Sequence, residues 1–311
     1  MNGYQRFVSK ERLDLQQTKA SLRRVRILGK TLGGWYLLLR RLMKAALRRR
    51  RSVESIILDG QELNTIDYMG FEVVHRVNTS IVNEIQYVGE NFEPDFLKAL
   101  VHEISRKKPA LMLDIGANIG LISLPLLRKF KKLSIVAFEP GPVQANCLAH
   151  TIARNKLSAR LTLLKTAVGR ERGDLDFFVH SAEHASGDGF RDTGRAGKAS
   201  RITVPCITLD DWWNSSQRPT VGVIKIDVEG AEHWVLQGGA SLLARCRPTV
   251  FYEVCLENSN PYPHTPFDTI ELLNKQGYSV YDPTGKCVDV HAEACAPYVT
   301  GMYAARPRKS D

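Results

Sequence analysis

A chain of 311 residues can bury a full core as one large domain, with or without a smaller extension. Its 43% apolar and 24% charged residues exclude an intrinsically disordered chain. The net charge of +10 invites an anionic partner, yet residues 19–51 hold twelve Lys/Arg and no Asp/Glu, which leaves about −2 on everything else. Without a basic track beyond that segment, nucleic acid is not expected as a partner.

The first segment, residues 1–51, opens with the polar run MNGYQRFVSKERLDLQQ and reads without a secretory signal. Its longest apolar run, WYLLL, falls far short of the roughly 20 residues that span a bilayer. Read as a helix, residues 35–51 place Trp35, Leu38, Leu39, Leu42, Ala46 and Leu47 on one stripe, flanked by Arg40, Arg41, Lys44, Arg48 and Arg51. Such a helix suits peripheral contact with an anionic membrane surface, or packing on the domain with its basic face in water. Gly29, Gly33 and Gly34 break the segment into two pieces. The six cysteines form no CxxC pair, as expected for reduced thiols in the cytoplasm. The expected location is therefore cytoplasmic, with peripheral attachment to the inner membrane face if the basic helix meets lipid.

Residues 52–91 alternate apolar and polar (SIILDG, FEVVHRV, EIQYVG), a lead-in of short strands. NFEPDFLKALVHEI then opens a helix, with Glu93 and Pro94 at its start. From residue 110 apolar runs alternate with helical patterns. The strands are 110–115, 133–138, 161–166, 221–227 and 249–254; the helices are 118–130, 140–154, 230–244 and 266–276. Near-continuous apolar runs mark strands covered on both faces, so the main domain is an α/β, doubly wound, mostly parallel sheet. DLDFFVH and RITVPCI flank residues 181–200, a Gly/Ser/Ala-rich interval that reads as a long loop, and YSVYDP and YVTGMYAA supply a closing strand pair.

LMLDIGANIGLISL is a strand ending in Asp114, a glycine turn, then an apolar helix. Gly116 and Gly120 allow a tight turn and close approach of a ligand, and the helix start offers N–H groups to an anion. Glu139, twenty-five residues after Asp114, ends the next strand, where an acid accepts hydrogen bonds from two ribose hydroxyls. Asn118 stands where a dinucleotide fingerprint needs its second glycine, which argues against a nicotinamide oxidoreductase. The combination favours S-adenosylmethionine, a ribose-bearing ligand with a cationic sulfur and a small charged tail.

LDIGANIGLISL, VAFEPGPVQANCLAHTIARN, TAVG, ITLDDW, IKIDVEGAEHWVLQGG and FYEV, in this order, resemble the FkbM-type S-adenosylmethionine-dependent methyltransferases, from about Phe92 to Tyr281. The resemblance implies a class I methyltransferase (Rossmann-like) fold with a seven-stranded sheet over 92–306. It implies a cofactor set of Asp114, Gly116, Asn118, Gly120, Glu139 and Pro140 around the methionine and ribose parts, with Thr166 and Ala167 near adenine. It further implies O-methylation of a sugar, glycolipid, other glycoconjugate or secondary metabolite, with no particular acceptor fixed. N-methylation of a small molecule and a non-catalytic membrane adaptor of the same fold are the competing readings. No N/D-P-P-aromatic tetrad for base methylation is present.

Strand alternation puts Val223, Lys225 and Asp227 on one face, with Asp227 at the ligand end of its strand. Attack by a hydroxyl needs a base and good alignment, so Asp227 is the first candidate base, or else caps the next helix. Glu253, ending the following strand, is the second candidate. Lys225 is expected to pair with Asp227 or Glu253. Glu232 is assigned to stabilising the helix start, His233 is expected to be exposed, and Glu229 stays open. His180 and His184 have H-x3-H spacing but no third ligand nearby, so zinc is not expected there; a divalent ion held by Asp227, Glu253 and the acceptor hydroxyl is conceivable, though no motif demands one, and no metal ligands are assigned.

Overall fold

The computed structural model describes residues 26–27, 30–31, 56–58, 61–76, 92–180, 188–194, 199–288 and 300–308. The chain divides into two units, residues 1–53 and 54–311. In the first, β1 (Arg26–Ile27) pairs antiparallel with β2 (Lys30–Thr31). The amphipathic helix expected over 35–51 lies outside the described residues, and among those described no helix is long and apolar enough to cross a membrane.

The second unit begins with an antiparallel meander of β3 (Ile56–Leu58), β4 (Gln61–Tyr68) and β5 (Phe71–Arg76). Tyr68 pairs with Phe71 across a two-residue loop, and both Met69 (φ 53°) and Gly70 (φ 75°) are left-handed, as a type I′ hairpin requires. The free edge of β5 is covered by side chains: Thr151 Oγ1 accepts from Val74 N at 2.9 Å, and Asn155 Oδ1 accepts from Glu72 N at 2.9 Å.

There follow α1 (Pro94–Lys107), β6 (Leu111–Ile115), α2 (Ser123–Lys129), β7 (Ser134–Phe138), α3 (Pro142–Arg154) and β8 (Leu161–Leu164). A small side sheet is built from β9 (Ala167–Val168), β10 (Gly173–Val179) and β11 (Ser200–Ile207). The chain then returns through α4 (Leu209–Ser215), β12 (Val223–Ile226), α5 (Glu232–Gln237), α6 (Ala240–Cys246), β13 (Thr249–Val254), α7 (Leu256–Ser259) and α8 (Pro266–Lys275). The last two strands are β14 (Tyr278–Tyr281) and β15 (Gly301–Pro307).

The main sheet runs β14-β15-β13-β12-β6-β7-β8, parallel except where β15 lies antiparallel between β14 and β13. Chain order moves outward from β6 to β8, then restarts on the other side at β12. The gap between β6 and β12 is thus the switch point where such sheets take ligands. Alternate strand residues feed two cores. Met112, Ile135, Val223 and Phe251 pack against Leu100, Leu124, Leu148 and the meander's Val73. Leu113, Ile224, Val250 and Tyr252 pack against Trp212, Val235, Leu242 and Ile270. This two-sided burial is what the apolar runs encode.

Two expected helices differ. The helix expected from residue 118 begins at Ser123, because residues 118–122 are spent on the turn. The helix expected over 230–244 breaks at Gly238–Gly239. There the backbone passes so close to its neighbour that a Cβ on Gly238 would lie 2.1 Å from the Gly169 carbonyl oxygen. His233, expected to be exposed, is buried and stacks on His264 with ring centroids 4.7 Å apart, because α8 covers that side of α5.

Candidate active site

A cavity of about 270 Å³ opens at the C-terminal ends of β6, β7, β12 and β13. Its floor is the glycine turn. Gly116 is left-handed (φ 74°), and a Cβ there would sit 1.8 Å from the Asp227 carbonyl oxygen. Only glycine lets the two strand ends meet. Asn118 is also left-handed (φ 49°), a conformation asparagine tolerates better than most residues, and its N–H donates to Glu139 Oε2 at 2.8 Å. Glu139 Oε1 accepts from Gly141 N at 2.8 Å. Burial pushes the Glu139 carboxyl up to about 7, against the pull of those two N–H groups and of Lys225.

Gly116, Asn118, Glu139, Pro140, Thr166, Ala167, Lys225, Asp227 and Glu253 all line the cavity. Asp114 and Gly120 do not. Asp114 is wholly buried behind the turn, where Oδ2 accepts from Ser123 Oγ at 2.6 Å and Oδ1 lies 3.3 Å from Lys225 Nζ. Gly120 (φ 89°) serves packing, since a Cβ there would lie 2.7 Å from Leu148 Cδ1. The short α2 starts at Ser123, directly after Leu121 and Ile122, which line the cavity.

Lys225 ties the floor together. Its Nζ donates to the Gly116 carbonyl at 2.6 Å and lies 3.6 Å from Asp227 Oδ2. Burial works against its charge, yet Asp114 and Asp227 outweigh burial and hold the ammonium above its ordinary range. Its carboxylate partners are Asp114 and Asp227; no ion pair joins it to Glu253. Asp227 itself is partly open, with 33% of its side chain exposed.

Glu229, left open by the sequence, sits left-handed (φ 55°) in the β12–α5 turn and lines the cavity. Asn258 Nδ2 donates to both Glu229 Oε2 (2.7 Å) and Glu253 Oε2 (3.0 Å), so one amide from α7 joins two acids from different elements. Burial, then the charges of Asp227, Glu229 and Glu232, push the Glu253 carboxyl up to about 9. One ligand atom each of Asp227, Glu229 and Glu253 lie within 4.8 Å of one another, a spacing that a divalent cation could use. Glu232 does stabilise the turn, but from a buried position: Oε1 accepts from Val228 N at 2.9 Å and Gly230 N at 3.3 Å.

The sequence did not single out Glu93, Asp188, Phe177, Phe190 or Gln144 for the site, yet all line the cavity. Glu93 was noted only as a helix opener; it precedes α1 in a left-handed conformation (φ 42°). Asp188 and Phe190 arrive on a crossing between β10 and β11, for which spacing gives no signal. His180, half of the H-x3-H pair, bonds to Asp188, while His184 lies outside the described residues. Among the described residues the cavity lining thus carries six carboxyls (Glu93, Glu139, Asp188, Asp227, Glu229, Glu253) and one ammonium, Lys225. That balance suits a ligand with positive charge.

Strand order and a cavity at the switch point together define a class I methyltransferase fold. The model of the FkbM methyltransferase domain matches residues 114–280, more than half of the chain, and the chain belongs to that family. It is 29% identical over 153 residues to the methyltransferase sdnD of Sordaria araneosa, a match spanning 41% of this chain and 59% of the relative. It is 26% identical over 159 residues to the 2-O-methyltransferase NoeI of Sinorhizobium fredii (45% and 62%). It is also 26% identical over 151 residues to the hexuronic acid methyltransferase AglP of Haloferax volcanii (49% and 58%). The matches thus span about three fifths of the length of these relatives.

Proposed function

We propose that the chain is an S-adenosylmethionine-dependent methyltransferase acting on a hydroxyl of a sugar or glycoconjugate. The observation that carries this reading is the convergence of Asp227, partly exposed and fixed beside Lys225, with the Glu229–Glu253 pair on one cavity wall. The names of NoeI and AglP, a 2-O-methyltransferase and a hexuronic acid methyltransferase, support a carbohydrate acceptor.

The residues fit the cofactor. The Gly116 turn lines the cavity floor, Glu139 is buried with both oxygens held by backbone N–H groups, and the lining is rich in carboxyls. Gly116, Asn118, Glu139, Pro140, Thr166 and Ala167 would hold it. When bound, S-adenosylmethionine supplies an electrophilic methyl group on a cationic sulfur.

Asp227 would take the proton of the acceptor hydroxyl as its oxygen bonds to the methyl carbon and the methyl–sulfur bond breaks, the electron pair staying on sulfur. Lys225 fixes Asp227 and the Gly116 carbonyl in one geometry, so the base and the cofactor floor keep their spacing. Glu253, holding its proton, donates to an oxygen of the acceptor, while Glu229 accepts from a neighbouring hydroxyl. A polyol offers both groups side by side; a simple amine offers neither.

Calorimetry with S-adenosylmethionine, followed by methyl transfer to a panel of monosaccharides and glycosides, tests the proposal. Asp227→Ala should bind the cofactor and lose transfer by about 10²–10⁴-fold. Full transfer by that variant would remove Asp227 as the base.

A further inference from the structure

The segment 188–190 lies against the cavity, with Asp188 and Phe190 in its lining. At one end Asp188 Oδ2 accepts from Gln144 Nε2 of α3 at 2.8 Å. In the middle Gly189 pairs with Phe178 of β10, and a Cβ on Gly189 would lie 3.2 Å from Glu229 Cβ. At the other end Phe190 stacks on Trp234 of α5, with centroids 6.4 Å apart and planes 23° apart. The segment therefore touches three elements, and its register is fixed rather than incidental.

Part of the lining is apolar: Ala167, Val168, Phe177 and Phe190 contribute to it, and the phenyl rings of Phe177 and Phe190 meet edge-on at 6.3 Å. Flat apolar walls suit the faces of a purine, whose polar atoms lie on its edge. Among these walls Asp188 supplies a carboxylate whose side chain is 6% exposed. Its hydrogen bonds are countable. Oδ1 accepts from His180 N at 2.7 Å and lies 3.3 Å from His180 Nδ1; among the described residues, Oδ2 accepts from Gln144 Nε2 alone. A carboxylate oxygen accepts two hydrogen bonds, so Oδ2 keeps one lone pair for a ligand donor. Burial raises the carboxyl, and bonds from His180 and Gln144 oppose that rise. A ligand N–H would favour the ionised form in the same way.

We infer that Asp188 reads the exocyclic amine of the cofactor's adenine, accepting one of its hydrogens on Oδ2, with His180 and Gln144 as positioning residues. Asp188 is then the residue that selects adenine over purines lacking an amine. The inference rests on the S-adenosylmethionine reading above, with Glu139 on the ribose side of the base.

Titration calorimetry on the full chain with adenosine, purine riboside (no amine) and N6,N6-dimethyladenosine (no N–H) tests it without any acceptor. Wild type should bind adenosine about 10- to 100-fold more tightly than either analogue, the range expected for one hydrogen bond to a charged acceptor. Asp188→Asn and Asp188→Ala should lose most of that preference while binding purine riboside as wild type does, which also shows that they fold. Equal affinity for the three nucleosides in wild type overturns the inference even if neither variant folds, and so does a preference that survives in both variants. Tight binding of S-adenosylmethionine without amine discrimination would remove Asp188 alone. A wild type that binds neither S-adenosylmethionine nor any of the nucleosides would remove the cofactor reading with it.

Discussion

Gly116→Ala places a methyl group where the structure has none to spare. The new Cβ would lie 1.8 Å from the Asp227 carbonyl oxygen and 2.9 Å from its carbonyl carbon, both backbone atoms that no rotamer change can move. The φ of 74° adds a left-handed penalty of about 1–2 kcal/mol for alanine. Relieving the overlap means moving the end of β12 or opening the turn, an overpacking cost of about 1–3 kcal/mol. Together these give roughly 2–5 kcal/mol, or a fall in Tm of roughly 5–15 °C in a domain of this size. The same displacement carries Asp227 and the Lys225–Gly116 hydrogen bond with it. Cofactor affinity should therefore drop by more than tenfold at a temperature where the variant is still folded. Thermal denaturation followed by calorimetry with S-adenosylmethionine reads both effects. A variant with wild-type Tm and wild-type affinity would refute the close approach of the two strand ends.

Glu232 gives a pH signature. Its carboxyl is pushed by burial up to about 7, above the ordinary 4.5 of an unfolded chain. The stabilisation from its neutral form is full below about 4.5 and is lost as pH rises through about 7. Glu232→Gln keeps an oxygen for Val228 N and Gly230 N but has no titratable proton, so its Tm relative to wild type should climb between about pH 4.5 and 7. A difference flat across that range would show that Glu232 does not titrate as its burial implies. Lys225→Met leaves Asp114 with Ser123 alone in a fully buried site and should cost about 3–5 kcal/mol in chemical denaturation. A loss under about 1 kcal/mol would mean that Lys225 is not holding the floor. The basic segment is tested by flotation with anionic liposomes: the full chain should float and a chain lacking residues 1–51 should not. Equal flotation would separate lipid contact from this segment.

Much of the fold was legible because parallel strands buried on both faces must be apolar along their length, as in VGVIKID and TVFYEV. Gly116 and Glu139 were legible because strand ends and the turn between them are local in sequence. What escaped was set by non-local packing. His233 reads as exposed from one helix alone, yet His264 stacks on it and Thr269 of α8 meets its ring. Asp188 and Asn258 reach the site from segments whose spacing resembles ordinary loops, and their roles arise from partners such as Gln144, Glu229 and Glu253. Lys225 was foreseen to need a carboxylate, but its tie to the Gly116 carbonyl needed coordinates. Asp114 read as a cofactor contact because it ends a strand at the turn, yet its side chain points into the packing behind that turn.

The most direct test uses S-adenosylmethionine carrying a ¹³C-labelled methyl group, incubated with the full chain and the sugar panel, and products read by NMR. The expected result is a labelled methyl resonance of an O–CH₃ group on a sugar carbon, absent with Asp227→Ala. Label appearing only on nitrogen of an amine acceptor, or equal O-methylation by the variant, would contradict it.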